Sequence, residues 1–487
     1  MLDRRTHLAS PRHRGELARV LEELRSKHEV PSEFPEAAAT EAEAAEAGVP
    51  RLDLRDIPFV TLDPADSRDL DQAFHIEHTS TGMVLRYAIA DLPGFVAPGG
   101  AIDLEARRRG QTLYLPDGRV PLHPPVLSEG KASLLPDKDR TAFVWTIPVD
   151  QAGAAAIGGA AVPDARVERA RIRSRAKLNY VSAQQSIDAG TPHEQIELLR
   201  EFGLLRIEQE ARRGGASLNM ADEEIVRDEH GYRIVRSFPL AVEEWNAQLS
   251  LLTGMVAARI MLDGGIGILR TMPSPDDEAL SEFRSRVAAL GKPWPSDVSY
   301  GEYLRSVPRD GEHSVAVLHA AASLFRGADY AVFGVPGEDG ALIAPPASPN
   351  QAAIAAPYAH VTAPLRRLVD RWTLVICEAL CAGAETPDWV TQSLADIPSL
   401  MRSSSSLAGR LNSAIIDRVE AALLRDRVGE VFSATVLQAR ESSARVLVED
   451  PPVTANAEFA GVVAGQLISV RVTRADVLTG EIELEAV

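Results

Sequence analysis

A chain of 487 residues with 69 acidic and 51 basic side chains, a net charge of −18 and 45% apolar residues is too ordinary in composition for global disorder, and long enough for about two to four domains. Its acidity excludes broad adhesion to nucleic acid, although a channel with locally basic walls stays open. Two cysteines, no apolar run long enough to span a bilayer and no secretory leader set the expectation of a cytoplasmic protein.

Residues 1–50 read as a small helical domain. Ser10-Pro11 can cap and start a helix whose apolar residues Leu17, Val20, Leu21 and Leu24 recur at helical spacing. The first 28 residues carry seven Lys or Arg against four acids, whereas residues 29–50 carry six Glu and no base, so the two ends face different surroundings. A basic first helix could touch nucleic acid or could simply be solvated.

The apolar run Phe59-Val60-Thr61-Leu62 then reads as a buried strand ending on Asp63, Asp66, Asp69 and Asp71, four carboxylates within nine residues. Like charges at this density repel unless a cation sits among them. A hard divalent ion takes oxygen ligands, and two such ions can clamp both reacting oxygens of a phosphoryl displacement, which makes magnesium the first cofactor to consider. A calcium loop of the EF-hand type is excluded, because Arg68 and Phe74 stand where it needs Gly and Glu. The residues alone leave an acidic surface loop as the other reading.

The segment T-L-D-P-A-D-S-R-D-L-D-Q-A, residues 61–73, resembles the acidic motif of the RNB family, the catalytic domain of enzymes of the ribonuclease II and ribonuclease R type. On this resemblance Asp63, Asp69 and Asp71 take three of the family's four catalytic, metal-binding places, and Gln72 takes the fourth. Gln72 then either ligates through its amide oxygen, or water, Asp66 or a substrate phosphate fills its place.

Met83 to Asp91 reads as a second strand, and Asp91 is either a further ligand or a turn former. Ala106 to Pro124 and Leu127 to Pro136 also resemble family motifs, with Tyr114 where an aromatic stacks on RNA bases; stacking suits a nuclease that must accept any base. In Arg171 to Tyr180 the alternation puts Arg171, Arg173, Arg175 and Lys177 on one strand face. The resemblance brings Lys177 and Tyr180 near the RNA path. Around Gly214 to Met220, where the family often has a second stacking aromatic, none occurs.

Val242 to Leu262 reads as a helix with Trp245, Leu249, Leu252, Val256 and Ile260 on one face, ended by Gly264-Gly265. Of its first-turn acids, the resemblance points Glu244 to the terminal ribose. Arg270 serves either a phosphate or a salt bridge. In Y-A-H-V-T-A-P-L-R-R-L-V-D-R, Tyr358 to Arg371, Pro364 can open a helix in which Arg366 and Asp370 pair one turn apart. The family resemblance gives Arg366 the scissile phosphate and Arg367 an RNA contact, and a planar guanidinium is chemically apt for phosphate oxygens. His360 reads as a structural hydrogen-bonder, and Cys377 and Cys381 as packing residues further along the same apolar stripe. From Arg427 onward, alternating segments at 430–438, 443–449, 467–473 and 481–486 suggest a five-stranded OB-fold barrel, with five bases against nine acids in residues 427–487.

The expected fold is therefore α+β: a small helical segment at 1–50, an RNB catalytic core at 51–425 with a mixed sheet surrounded by helices and enclosing an RNA channel, and an OB-fold β-barrel at 426–487. The resemblance implies a magnesium-dependent 3′-to-5′ exoribonuclease, with one or two ions and manganese able to substitute. It would hydrolyse single-stranded RNA to nucleoside 5′-monophosphates with metal-activated water, with no membrane and no identifiable protein partner. The alternative is an RNB-fold RNA-binding protein whose catalysis is impaired by Gln72.

Overall fold

A computed structural model describes residues 16–487 apart from 116–117, 156–164, 217–221, 229–230, 309–313, 440–441, 449, 452 and 460. The run Phe59-Val60-Thr61-Leu62 is strand because all four side chains are buried, which requires apolar groups on both faces of the sheet. It forms β2 (Phe59–Asp63), preceded by the short β1 (Leu52–Asp53) and followed by β3 (Gln72–Thr79) and β4 (Gly82–Ala90). A small hairpin, β5 (Leu113–Leu115) and β6 (Gly118–Val120), leads to two long strands, β7 (Asp139–Asp150) and β8 (Arg166–Asn179).

The sheet order is β1-β8-β2-β3-β4-β7, and β7 pairs back onto β8, so the sheet closes on itself. β8 closes it by length: residues 166–173 pair antiparallel with β7 and residues 174–179 pair parallel with β2. One apolar cluster gathers small residues, Ala73, Ala88, Ala142 and Ala170 with Phe59 and Ile172. The other places Val60, Phe74, Tyr87 and Trp145 against the helix Ala241–Gly264. Alternate side chains thus serve two cores, the period-two pattern of a strand with both faces covered.

β8 departs from the regular alternation that the sequence suggested. Phe59 faces Ser174 but Val60 faces Ala176, so Arg175 is an extra, bulged residue and the alternation reverses after it. Arg171 and Arg173 share a face with Asp53 and Asp139, to which they pair, whereas Lys177 shares the face of Asp63. The four charges do not form one stripe.

The helix Ala241–Gly264 buries Trp245, Leu249, Leu252 and Val256 as its spacing predicts and ends at Gly265, whose φ of 71° suits only glycine without strain. The segment after Tyr358 differs from expectation. Residues 364–366 form a turn, the helix starts only at Val369, and Pro364 therefore opens no helix. Because the backbone is not helical at Arg366, its side chain is not carried to Asp370. Arg367 takes that place, with Nε 2.5 Å and Nη2 2.8 Å from the carboxylate. Asp91 accepts from the Gly94 amide and pairs with Arg169 at 3.3 Å, which makes it a turn former, and burial pushes its carboxyl up to about 6. Cys377 is buried, Cys381 is half-buried, and both are free thiols.

Two helices, Glu16–Lys27 and Glu36–Ala44, lie among the described amino-terminal residues, and the expected Ser10-Pro11 start falls outside them. Val20, Leu21 and Leu24 pack with Leu113, Leu115 and Val120 of the β5–β6 hairpin and with Leu411, Ile415 and Val419 of the long helix Ile397–Arg425. The first helix is thereby a backing for the hairpin that carries Tyr114. At the other end, strands Val431–Ala439, Ala444–Val448, Val453–Glu458, Leu467–Asp476 and Glu481–Ala486 close a five-stranded barrel. The α+β architecture and the terminal barrel are those expected from the sequence. No helix among the described residues is long and apolar enough to cross a membrane.

Candidate active site

The acidic segment is the connection between the end of β2 and the start of β3, and neighbouring motifs fix its course. Leu134 donates its amide to Leu70 O at 3.0 Å; Ser133 Oγ donates to Arg68 O at 2.6 Å and accepts from the Leu70 amide at 3.0 Å. Lys177 Nζ donates to Ala65 O at 2.7 Å. The A-S-L-L-P stretch and the end of β8 therefore hold the loop by its backbone, which leaves its carboxylates to other tasks.

Asp71 is the buried member of the set. Its Oδ1 accepts from the Leu365 amide at 2.8 Å, and Arg366 Nε lies 3.7 Å from Oδ2. Burial pushes the Asp71 carboxyl well above the usual carboxylate range; Arg366 and the Leu365 amide pull against it, while the charges of Asp69 and Asp370 add to it. Asp69, half-buried, meets Arg119 Nη1 at 2.5 Å, and Arg119 Nη2 reaches Glu129 at 2.7 Å. Asp63 ends β2 opposite Asn179, and Asp66 is exposed.

Gln72 has a fixed orientation. Its Nε2 donates to Thr362 O at 2.7 Å, and its Oε1 accepts from Tyr87 Oη at 2.7 Å. Tyr87 Oη also lies 3.0 Å from Ser250 Oγ on the helix Ala241–Gly264.

The other side chains singled out in the sequence surround this point at varying depth. Tyr114 is exposed on β5 and faces Arg119 across the hairpin, so the aromatic and the guanidinium that touches Asp69 are cross-strand neighbours. Tyr180 directly follows Asn179, the partner of Asp63, and its Oη accepts from Asn246 Nδ2 at 3.1 Å. Glu244 lies in the first turn of the same helix as Asn246. Arg367 is committed to Asp370, whose Oδ1 also accepts from the Ala363 amide at 2.8 Å. His360 is half-buried, its ring nitrogen 2.7 Å from Tyr330 Oη, and desolvation with the nearby arginines holds it well below its ordinary pKa, a structural role. Arg270 stacks on the Tyr330 ring at 4.7 Å. Of the stretch 214–220, residues 217–220 lie outside the described residues.

The donor chemistry fits a hard divalent ion, since three carboxylates belong to one short segment and the buried one is disfavoured as an anion unless a positive charge joins it. The fit is to the donor types and not to a finished cage: among the described residues no three His, Cys, Asp or Glu side chains are grouped to hold a metal. Arg119 pairs with Asp69 and Arg366 faces Asp71, and even beside Arg366 burial keeps the Asp71 carboxyl raised. Sequence reasoning missed Arg119 and Glu129, although both lie inside motifs it had marked, R-V-P-L-H-P and L-S-E-G-K. Their signal was a charged residue within an otherwise apolar motif.

Comparison with known proteins follows the same outline. The model of the RNB domain matches residues 51–381, and that of the RNase II-type exonuclease C-terminal S1 domain matches residues 430–487. Ribonuclease R of Escherichia coli is 30% identical over 305 residues, which is 58% of this chain but only 36% of that protein; the alignment thus spans about a third of the relative's length. Among solved structures, Mycoplasma genitalium RNase R in complex with ribose-methylated single-stranded RNA superposes with a TM-score of 0.85 at 18% identity, covering 97% of this chain and 78% of the other. Yeast Ssd1, described as a pseudonuclease, superposes with a TM-score of 0.69 at 15% identity, covering 93% and 57%. The fold alone therefore accommodates both a nuclease and a non-nuclease.

Proposed function

Because this chain belongs to the RNB family, we propose that it is a magnesium-dependent 3′-to-5′ exoribonuclease that hydrolyses single-stranded RNA to nucleoside 5′-monophosphates. The observation that carries this reading is the meeting of two motifs nearly 300 residues apart in the chain. Asp71 of the acidic motif accepts the Leu365 amide and faces Arg366 of the second motif. An anionic cluster that binds cations and a guanidinium that binds phosphate are thereby placed side by side. A phosphodiester hydrolase needs that pairing, and a mere acidic loop does not.

In this reading Asp63, Asp69 and Asp71 hold one or two magnesium ions, with manganese able to substitute, and the bound ion supplies charge neutralisation and a more acidic attacking water. Arg366 steadies the phosphate to be cleaved and meets charge that grows in the transition state. Tyr114 stacks on a base near the 3′ end, beside Arg119. Tyr180 and Glu244 line the approach from the helix side, with Glu244 directed to the terminal ribose; Lys177 and Arg367, the other two RNA contacts of this reading, also hold Ala65 O and Asp370. Contact with the 2′-hydroxyl would favour RNA over DNA.

The deciding experiment is a time course on 5′-labelled single-stranded RNA with magnesium, run beside EDTA and a DNA strand of equal sequence. A magnesium-dependent ladder shortening from the 3′ end on RNA only is expected. RNA that is bound but intact would favour the second reading, an RNA-binding protein impaired by Gln72, whose amide is already engaged on both sides.

Two further outcomes follow. Arg119 and a cation compete for Asp69, so Arg119→Ala should tighten Mn2+ binding about tenfold in calorimetric titration, a change of about 1.4 kcal/mol; unchanged or weaker binding would exclude the competition. The terminal barrel and the chain as a whole are acidic, so few phosphates should be neutralised. The slope of log Kobs against log salt for RNA should then be shallower than about −4, the value expected for roughly six contacts on a single strand.

A further inference from the structure

We propose that Gln72 is a positioning residue, a strut that fixes the Arg366-bearing segment to the catalytic strand, and not a ligand of the cation. The consequence for Arg366 rests on the exonuclease reading; the strut itself does not.

The orientation of the Gln72 amide follows from its neighbours. Thr362 O can only accept, so Nε2 must face it, and Oε1 is then turned to Tyr87 Oη, which must donate. Tyr87 has one hydroxyl proton, so Ser250 Oγ donates in its turn. The result is a directed chain from Ser250 through Tyr87 and Gln72 to Thr362, which ties the helix Ala241–Gly264, β4, β3 and the segment before Val369 at one point. Tyr87 and Thr362 are buried, where such a chain gains strength and where breaking it leaves an unsatisfied polar group.

The environment is built for an amide and against a carboxylate. An Asp at position 72 would be one methylene shorter, and any oxygen that did approach Thr362 O would meet acceptor with acceptor. The neighbouring residue completes the argument: Asp71 accepts from the Leu365 amide and faces Arg366, so residues 71 and 72 together hold residues 362–366 in register. What stands in the family's fourth carboxylate place is thus a protein cross-link that sets Arg366 over the carboxylates before any cation or RNA arrives.

The test uses the full chain and three measurements on Gln72→Ala, Tyr87→Phe, their double variant and Gln72→Asp. In EDTA, Gln72→Ala and Tyr87→Phe should each lower the unfolding temperature by about 2–4 °C, and the double variant by less than the sum, because both remove one shared bond. Gln72→Asp should fall at least as far as Gln72→Ala. The number of tightly bound Mn2+ ions per chain, counted from the free-ion paramagnetic resonance signal, should be the same in wild type and Gln72→Ala. On RNA, assayed well below the unfolding temperature, Gln72→Ala should lose about tenfold in kcat with KM nearly unchanged, the mark of a contact that matters in the transition state.

A Gln72→Ala protein that loses one Mn2+ while unfolding in EDTA like the wild type would overturn the strut and make Gln72 a ligand. So would a Gln72→Asp protein that keeps its EDTA stability and gains an ion. An unchanged kcat would remove the positioning role. Failure of the wild type to degrade RNA would sink the exonuclease reading instead, and the EDTA melts and ion counts would still judge the strut.

Discussion

Asp71→Asn should abolish RNA hydrolysis, by about 10³-fold or more in kcat, the scale on which a transition-state electrostatic contact is lost, while RNA affinity changes little. Asp71 is the buried carboxylate of the acidic set and the one that joins the two motifs. Asparagine keeps an oxygen that can accept the Leu365 amide, so the backbone junction survives. What disappears is the carboxyl group that, in the exonuclease reading, a divalent ion would hold as an anion beside Arg366. Asp66→Asn, at an exposed position of the same loop, is the control and should stay within about twofold of wild type, as surface substitutions usually do. Single-turnover cleavage of labelled RNA, paired with filter binding in calcium or EDTA, checks both halves. A variant with Asp71→Asn that still degrades RNA at more than a tenth of the wild-type rate would remove Asp71 from the metal set.

The parts of the molecule legible in the sequence are those whose cause is local. Phe59-Val60-Thr61-Leu62 is strand because four adjacent apolar residues need two covered faces, and Ala241–Gly264 is helix because its apolar positions repeat every three or four residues and end at glycine. The acidic motif and the Y-A-H-V-T-A-P-L-R segment are legible as chemistry, and the structure brings them together where the Leu365 amide donates to Asp71. What was hidden depends on partners distant in the chain. The bulge at Arg175 exists only because β8 must serve β7 along its first half and β2 along its second, and no pattern within β8 announces it. The choice of Arg367 over Arg366 by Asp370 turns on a backbone that is a turn and not a helix at 364–366. The strand Val453–Glu458, reading V-T-A-N-A-E, has side chains too small and polar to register as an apolar alternation, yet it buries Val453, Ala455 and Ala457. The helices Asp277–Ala289, Tyr300–Ser306 and Ser314–Ala322 stay hidden for a similar reason: their shared core gathers Phe283, Trp294 and Tyr303 with Val317 and Ala321, from four separate segments.

The largest stability effect should come from Asp103→Ala, with a loss of about 3–5 kcal/mol, the range for removing one partner of a buried ion pair. Asp103 and Arg371 are each 1% exposed and meet at 2.5 Å. Asp103 also accepts from the Gly99 amide at 2.8 Å and pairs with Arg107, while Arg371 donates to Val96 O at 2.9 Å and lies over the Trp389 ring at 4.6 Å. Removal of the carboxylate would leave a guanidinium buried among tryptophans with one carbonyl for company. Replacing both partners by apolar residues of similar volume, Asp103→Leu with Arg371→Met, should cost much less, because no charge is then stranded. Burial works to raise the Asp103 carboxyl, and Arg371, the Gly99 amide and Arg107 overcome it and hold it below the usual range. For a depressed carboxyl the sign is fixed: the pair's contribution is full above about pH 4, the unfolded value, and fades as pH falls further. Trp372 and Trp389 border the pair, so two of the five tryptophans that report denaturant unfolding by fluorescence lie in this region. The pair also joins the helix Ala101–Arg109, which leads into the Tyr114 hairpin, to the helix Val369–Cys381, which follows Arg366. A loss below about 1 kcal/mol in Asp103→Ala would mean that Arg371 finds another partner, and that these two walls of the site are not held together by this contact.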